Sequence, residues 1–504
     1  MSQHPGTVVI VGAGIAGLCA AVYASKCGYR VVVLEQHSNA GGLATSWQRS
    51  GFRFETCLHW LLGSRPNKTL NARWREVFDI GQLTFVNPEE YVRIESEQGQ
   101  QLPIYSDVDR METELLRQAP QDAKQIRELT STIRRLARLR MSDDFWPPDI
   151  GTILRNLPTL PLLRRLSDVS IEEYGTHFTH SLLRSFFCGS DISSMPVLAF
   201  LLSLAWMSER NAGYPIGGSQ AIIRAILANL ESLGGQIRLG TKVTRILVED
   251  DAAVGVEVAS GETLTADWVI SAADGYTTIY DWLGGRYVDK DVNRTYQTLQ
   301  TFPSYLQVSF GVARDLSSEG GFITRLLDSP MQIDPGTRLD RLSLRIFHYD
   351  PTFAPAGKTA VTCFLPTRNV AFWVDLKGRD PAQYEAEKRR VAQAVTQVLE
   401  RKLPQISEAI EVTDVSTPAT VIRCTGNWKG SMEGWLMKTG SGLRPLRNTL
   451  PGLRQFMMVG HWVMPGGGLP AGLITARSAV RALCRHDQVP FVPERGVGAG
   501  AEAA

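Results

Sequence analysis

The sequence predicts an α/β fold with a Rossmann-like domain at its N-terminal end, and two stretches carry that expectation. In Val8-Val9-Ile10-Val11-Gly12-Ala13-Gly14-Ile15-Ala16-Gly17, four apolar β-formers run into Gly-x-Gly-x-x-Gly, and an amphipathic helix is expected to follow to about Cys27. A second apolar strand, Arg30-Val31-Val32-Val33-Leu34, then ends on the acid Glu35, with Gln36 after it. Strand, glycine turn, helix, strand and acid make up a dinucleotide-binding βαβ unit.

Each position in that unit has a physical task. Gly12 permits the tight turn off the strand, Gly14 lets the backbone approach a pyrophosphate, and Gly17 lets the helix pack close to the strand. Ala13, Ile15 and Ala16 lie between them, and the helix N-terminus offers its unpaired N–H groups to the phosphates. Ionised Glu35 only accepts hydrogen bonds, so it suits the two hydroxyls of an adenosine ribose and repels a 2′-phosphate. Which dinucleotide is bound stays open on these residues.

The bulk numbers narrow the class. With 504 residues, 43% hydrophobic and 21% charged, the chain reads as a globular protein with length for several domains. A net charge of +2 argues against a nucleic-acid binder driven by bulk electrostatics. The seven cysteines are scattered, with no C-x-x-C pair, which reads as reduced intracellular thiols and neither a disulfide frame nor a zinc site. Few residues precede the first strand, leaving no room for a signal peptide, and the apolar run 197–207 is too short to cross a bilayer. A cytoplasmic protein, soluble or peripheral on the cytoplasmic membrane face, is the expectation. Residues 491–504 read as a disordered tail, whose Gly-x-Gly-x-Gly has no strand before it and no helix after it.

Past Glu35 come Asn39-Ala40-Gly41-Gly42-Leu43-Ala44-Thr45 and Gly51-Phe52-Arg53-Phe54-Glu55-Thr56-Cys57-Leu58-His59-Trp60. These resemble the glycine-pair motif and the following G-F-x-F-D-x-G-x-H segment of the FAD-dependent phytoene desaturase, carotenoid isomerase and retinol saturase superfamily. The resemblance implies FAD as the dinucleotide, with Gly41, Gly42, Leu43, Ala44 and His59 along it. Two positions depart from the motif: Glu55 replaces the usual Asp and Cys57 the usual Gly.

Residues 71–209 read as mixed and largely helical. Within 121–140, Ile126, Leu129, Ile133, Leu136 and Leu139 alternate with Arg134, Arg135, Arg138 and Arg140, the pattern of a basic amphipathic helix. Phe145-Trp146-Pro147-Pro148 and a Leu/Pro/Arg segment at 153–166 follow. Two readings stand: a helical cap over a substrate tunnel, or an interfacial patch that dips into a bilayer to collect a lipid. His177 and His180 are expected on a cap helix.

From Tyr214 the chain reads as a helix at 221–233, strands at 236–239 and 242–248, and a hairpin-like pair at 253–258 and 263–271. The resemblance implies that this block rejoins the nucleotide domain and that the Val243 backbone lies along the adenine. Residues 288–418 form a second excursion, with strands at 305–312, 342–347 and 360–365 and a long helix at 381–401, expected to floor the substrate site. Near the end, a strand at 455–459 runs into Gly460-His461-Trp462-Val463-Met464-Pro465-Gly466-Gly467-Gly468-Leu469-Pro470, and a helix carries Leu473. That second strand, glycine turn and helix start offers another set of N–H groups. By resemblance it meets the pyrimidine end of the flavin, through Gly460, His461, Gly468, Leu469, Pro470 and Leu473.

The resemblance thus implies a Rossmann-like FAD-binding domain of the glutathione-reductase type, assembled discontinuously from 1–70, 210–287 and 419–490. Residues 71–209 would be the helical cap, and 288–418 an α+β substrate domain. No metal site, Walker lysine or Ser/His/Asp arrangement stands out, so the chemistry is redox chemistry carried by the cofactor. The expected activity is FAD-dependent saturation, desaturation or isomerisation at carbon–carbon bonds of a hydrophobic polyene or isoprenoid. His59 is the catalytic candidate, and Cys57 reads as packing or, less simply, a redox group. A flavin amine or amino-acid oxidase and a non-catalytic prenyl-lipid carrier stay open as alternatives. Without a second nucleotide fingerprint, the electron donor or acceptor is unassigned.

Overall fold

The computed structural model describes residues 5–56, 58–142, 149–441 and 445–494. Cys57, Phe145-Trp146-Pro147-Pro148 and tail residues 495–504 lie outside the described residues. Residues 491–494 of the expected disordered tail are instead packed, with Phe491 against Tyr23 and Arg477, and Pro493 O accepting from Lys26 Nζ at 3.0 Å.

The apolar run Val8–Val11 forms the strand Thr7–Val11, the centre of a five-stranded parallel sheet. Its order is Gln236–Arg238, Arg30–Leu34, Thr7–Val11, Trp268–Ser271 and Phe456–Met458, so separated stretches of sequence build one sheet. A parallel sheet needs cover on both faces. Helices Ile15–Lys26, Gly218–Ser232 and Gly468–His486 cover one, burying Val8, Ile10, Val31 and Val33. On the other, Val9 and Val11 pack against the antiparallel sheet Val243–Glu249, Ala252–Val258 and Thr263–Thr265. The first helix is therefore not amphipathic. Leu18, Ala20, Ala21, Val22, Tyr23 and Ala24 are all fully buried, because other helices flank it as well as the sheet below.

A seven-stranded sheet runs Ile410–Ser416, Ser304–Val312, Thr359–Thr367, Thr337–Ile346, Phe322–Asp334, Glu90–Glu95 and Gln101–Tyr105. Alternate side chains (Val308, Phe310, Cys363, Leu344, Ile323) point to one face and pack on helices Val370–Arg379 and Pro381–Lys402. The opposite face carries Gln307, Phe322, Ser343, Arg345 and Phe364, and looks towards the nucleotide domain and cap.

Further expectations are corrected. Within 71–209, Glu90–Glu95 and Gln101–Tyr105 are strands that extend the second sheet. The segment 263–271 is no hairpin arm: after Thr263–Thr265 it crosses over, and Trp268–Ser271 enters the parallel sheet. His177 and His180 lie between helices Ile171–Gly175 and Ser181–Phe187, and the His180 ring caps the second by accepting the Leu183 N–H at 3.3 Å. Elsewhere in the cap, Val197–Ser208 is apolar all round and buried against Ala123–Ala137. Among the described residues no helix is long and apolar enough to cross a membrane.

Candidate active site

The glycines of the first turn differ in what requires them. Gly12 has φ 99°, and its N–H donates to Leu34 O at 2.8 Å, a conformation that favours glycine. A Cβ on Gly17 would overlap the carbonyl oxygen of Gly12, so helix packing demands that glycine. Gly14, at φ −72°, has no backbone need, and a Cβ there would find only the Gly41 oxygen, 4.0 Å away. The space beside Gly14 at the helix start is open, as a pyrophosphate would require.

Around that space the named motifs converge. Gly41 bridges Gly14 and donates its N–H to Ala13 O at 2.8 Å, while a Cβ on Gly42 would sit 3.3 Å from Gly14 Cα. Ala44 N–H closes the turn onto Gly41 O, and Leu43 O accepts the Thr56 hydroxyl at 2.6 Å. Glu35 receives the N–H groups of Ala13 and His37, each at 2.8 Å, which fixes its carboxylate and leaves lone pairs for hydroxyls. Thr241 N–H donates to Glu35 O at 2.7 Å, bringing the strand that starts at Val243 beside the acid; the Val243 side chain is core. Gln36 lies near Gly426.

The C-terminal turn meets the first one. A Cβ on Gly472 would stand 2.8 Å from Ile15 Cγ2, and one on Gly460 would stand 3.3 Å from Ala16 Cβ. Gly468, Leu469 and Pro470 open the helix Gly468–His486, and Leu473 is fully buried beneath it. Two helix N-termini with their glycine turns therefore lie side by side, an arrangement with room and donors for an elongated dinucleotide. Among the described residues no group of side chains could hold a metal ion.

Beyond the turns lies a more enclosed region. Buried Glu55 accepts the Ser219 N–H at 2.8 Å, the Ser219 hydroxyl, and the Tyr214 hydroxyl at 3.3 Å; burial still pushes its carboxyl up to about 7. Arg345 donates to the carbonyls of Leu58 and His59 at 3.2 and 3.4 Å. The His59 ring sits among Trp60, Phe322 and Phe364, with centroids 5.7, 5.8 and 5.7 Å away. Burial, then the Arg345 charge, holds its imidazolium well below the usual histidine range, so the ring is neutral near neutral pH. Trp60, Tyr91, Phe186 and Phe200 continue the aromatic wall into the cap, with Met432 and Met437 against the same cluster.

Sequence reasoning assigned no role to Arg345 or Glu433. The first is a charge inside an alternating strand, read as ordinary sheet. The second is the only acid in the otherwise uncharged run 430–437, and that isolation is its sequence signal.

The model of the flavin containing amine oxidoreductase family matches residues 15–484. The chain belongs to that family. FAD is its cofactor, and the flavin oxidoreductase is an enzyme. It is 26% identical to the phytoene desaturase (neurosporene-forming) of Cereibacter sphaeroides, covering 92% of this chain and 91% of that one. It is 24% identical to the chloroplastic prolycopene isomerase of Arabidopsis thaliana, over 95% of this chain and 82% of the relative. An inactive all-trans-retinol 13,14-reductase of Danio rerio is 28% identical, with 69% and 60% covered. Among solved structures, an oxidoreductase from Methanosarcina mazei superposes with TM-score 0.60 at 16% identity, covering 94% of this flavin oxidoreductase and 100% of that chain. Putrescine oxidase bound to putrescine superposes with TM-score 0.61 at 16% identity, covering 95% and 99%. These two likenesses show the α/β fold, a Rossmann-like FAD domain with a substrate domain.

Proposed function

We propose that the enzyme saturates, desaturates or isomerises carbon–carbon bonds of a hydrophobic polyene or isoprenoid. The observation that carries this reading is the wall of Trp60, Tyr91, Phe186, Phe200 and Phe322 rings that leads from the cap to His59. A long apolar molecule is stabilised by moving from water onto such an aromatic surface. The desaturase and isomerase relatives support the same substrate class.

FAD, when bound, exchanges a hydride with the substrate. In this reading Gly12 and Ala13, whose N–H groups go to Leu34 O and the Glu35 carboxylate, shape the turn, Gly14, Ile15, Ala16 and Gly17 at the helix start take its pyrophosphate, and Glu35 and Gln36 take the adenosine side. Gly41 to Ala44 and Val243 flank it, and the turn from Gly460 through His461 to Gly468, Leu469, Pro470 and Leu473 takes the flavin end. Neutral His59 shapes the pocket against the substrate, while the cap excludes water. Purified FAD-loaded enzyme incubated with polyene lipids, under reducing and under oxidising conditions, should change both the flavin absorbance and the polyene chromophore. The absence of both changes would sink the proposal. Hydrogen peroxide released on amines alone would turn it towards an amine oxidase, and a purified protein without flavin absorbance towards a prenyl-lipid carrier.

The cap also supplies a route for such a substrate. Among the described residues, five of the eight exposed large hydrophobic side chains fall between Ile150 and Leu160, with Ile150 76%, Leu154 63% and Leu157 55% accessible. Exposed Arg155, Arg164 and Arg165 flank them, which suits an anionic bilayer. The double variant Leu154→Asp, Leu157→Asp should weaken co-sedimentation with phosphatidylserine vesicles by at least about tenfold, at unchanged flavin content, since each leucine contributes roughly 1.5–3 kcal/mol when buried. Undiminished vesicle binding, or a patch that instead holds two copies together in sedimentation, would count against the membrane route.

A further inference from the structure

Glu433 stands on a segment clamped from two sides. Phe302 N–H donates to Gly434 O and Leu436 N–H to Gln300 O, both at 2.8 Å, while Gly466 N–H donates to Trp435 O at 2.9 Å. Gly467 approaches so closely that a Cβ built on it would lie 2.5 Å from Glu433 Cβ. The acid is thereby fixed against the glycine turn that opens the C-terminal helix, where the flavin end is assigned above. Met432 and Met437, to either side of it, belong to the apolar lining under the cap.

No hydrogen bond or ion pair reaches the Glu433 carboxyl from a described residue. The protein encloses it, yet part of its surface stays accessible, as for a group that lines an internal cavity. An enclosed carboxylate without a partner destabilises the fold that keeps it, so a structural role explains it poorly. Burial pushes it up to about 7, where acid and carboxylate are both populated near neutral pH.

The surrounding groups do not compete for that task. From the turn, His461 lies against Gly434, and burial lowers its imidazolium to about 4, leaving it neutral. The adjoining stretch 300–303, Gln-Thr-Phe-Pro, carries no charge. On its own side of the chain, Lys429 lies 4.1 Å over the Trp428 ring, and Lys438 follows beyond Met437. His59 is held neutral by burial and Arg345.

We propose that Glu433 is the proton-transferring group of this site, a step that rests on the FAD and carbon–carbon reading above. In desaturation, the Glu433 carboxylate takes the proton from one substrate carbon as the hydrogen on the neighbouring carbon leaves with its electron pair to oxidised FAD, forming the double bond. In saturation, the Glu433 acid returns that proton to one carbon of the double bond while reduced FAD supplies the hydride to the other.

The test uses FAD-loaded wild type, Glu433→Gln, Glu433→Asp and His59→Gln. The visible flavin band is titrated against pH without substrate. Wild type should show a spectral change with its midpoint near 7, lost in Glu433→Gln, displaced in Glu433→Asp and kept in His59→Gln. With a polyene found to react, Glu433→Gln should lose about 10²-fold or more in turnover at unchanged FAD content and melting temperature, with partial recovery in Glu433→Asp. A wild-type titration or a wild-type rate in Glu433→Gln overturns the assignment, as does loss of the titration in His59→Gln alone. If no polyene reacts, the carbon–carbon reading fails, and the substrate-free titration still decides whether Glu433 stands at the flavin.

Discussion

Gly14→Val should abolish FAD retention while leaving the flavin-free protein folded with an unchanged melting temperature. Valine suits the extended backbone of Gly14, at φ −72° and ψ 178°, and its Cβ would meet no atom nearer than the Gly41 oxygen at 4.0 Å. Its methyl groups would instead fill the open space at the start of the helix Ile15–Lys26, where the pyrophosphate is assigned. Losing the phosphate contacts and adding a clash should weaken binding by at least about 10³-fold, or roughly 4 kcal/mol. Gly17→Val makes the contrast, since its Cβ overlaps the Gly12 carbonyl and would stand 3.2 Å from Ala272 Cβ, so the flavin-free fold itself should suffer. The ratio of flavin to protein absorbance after gel filtration, read with thermal melts of the flavin-free proteins, separates the two. A Gly14→Val protein that elutes yellow would show that the space serves something else.

Glu76→Ala should destabilise the protein by about 3–5 kcal/mol, through the loss of a buried charge cluster and without touching the cofactor. Glu76 is 4% accessible. Its carboxylate accepts the Tyr23 hydroxyl at 2.8 Å and Arg477 Nε at 2.8 Å, and it pairs with Arg73 as well. Its backbone oxygen takes Lys26 Nζ at 2.7 Å. One acid therefore joins the helix Ile15–Lys26 and the helix Gly468–His486, whose N-termini face the assigned cofactor, and holds Thr69–Arg75 against both. Alanine would take the shared carboxylate away from two guanidinium groups in a largely dry site, and the enclosed charge left behind makes the loss large. Urea unfolding should show a lower midpoint at an unchanged slope. A midpoint within experimental error of wild type would mean that other contacts satisfy both arginines.

The local rules of the chain were enough for the first βαβ unit. Four apolar β-formers, glycines at fixed spacing and an acid after the second strand are short-range features, and the strands Thr7–Val11 and Arg30–Leu34 with the helix Ile15–Lys26 stand where those features put them. The strand Phe322–Asp334 was hidden, because its alternation breaks at the register shift between Leu326 and Met331, which carries Ser329 and Pro330 past the ladder. Glu90–Glu95 and Gln101–Tyr105 were equally obscured: strands at a sheet edge surrounded by helical sequence carry little period of their own.

What the sequence alone determined is the first βαβ unit, since its turn geometry and strand pattern depend on neighbours in the chain. The tertiary structure decided which glycine is kept for the protein and which for something beyond it. Gly14 and Gly17 are the same residue in one motif, and only their surroundings separate open space from a packed carbonyl. It decided the state of the acids and histidines too. Glu433 has no partner among the described residues and His59 lies in a ring of aromatics beside Arg345, because strands and turns far apart in the chain meet there, and burial and charge act through space.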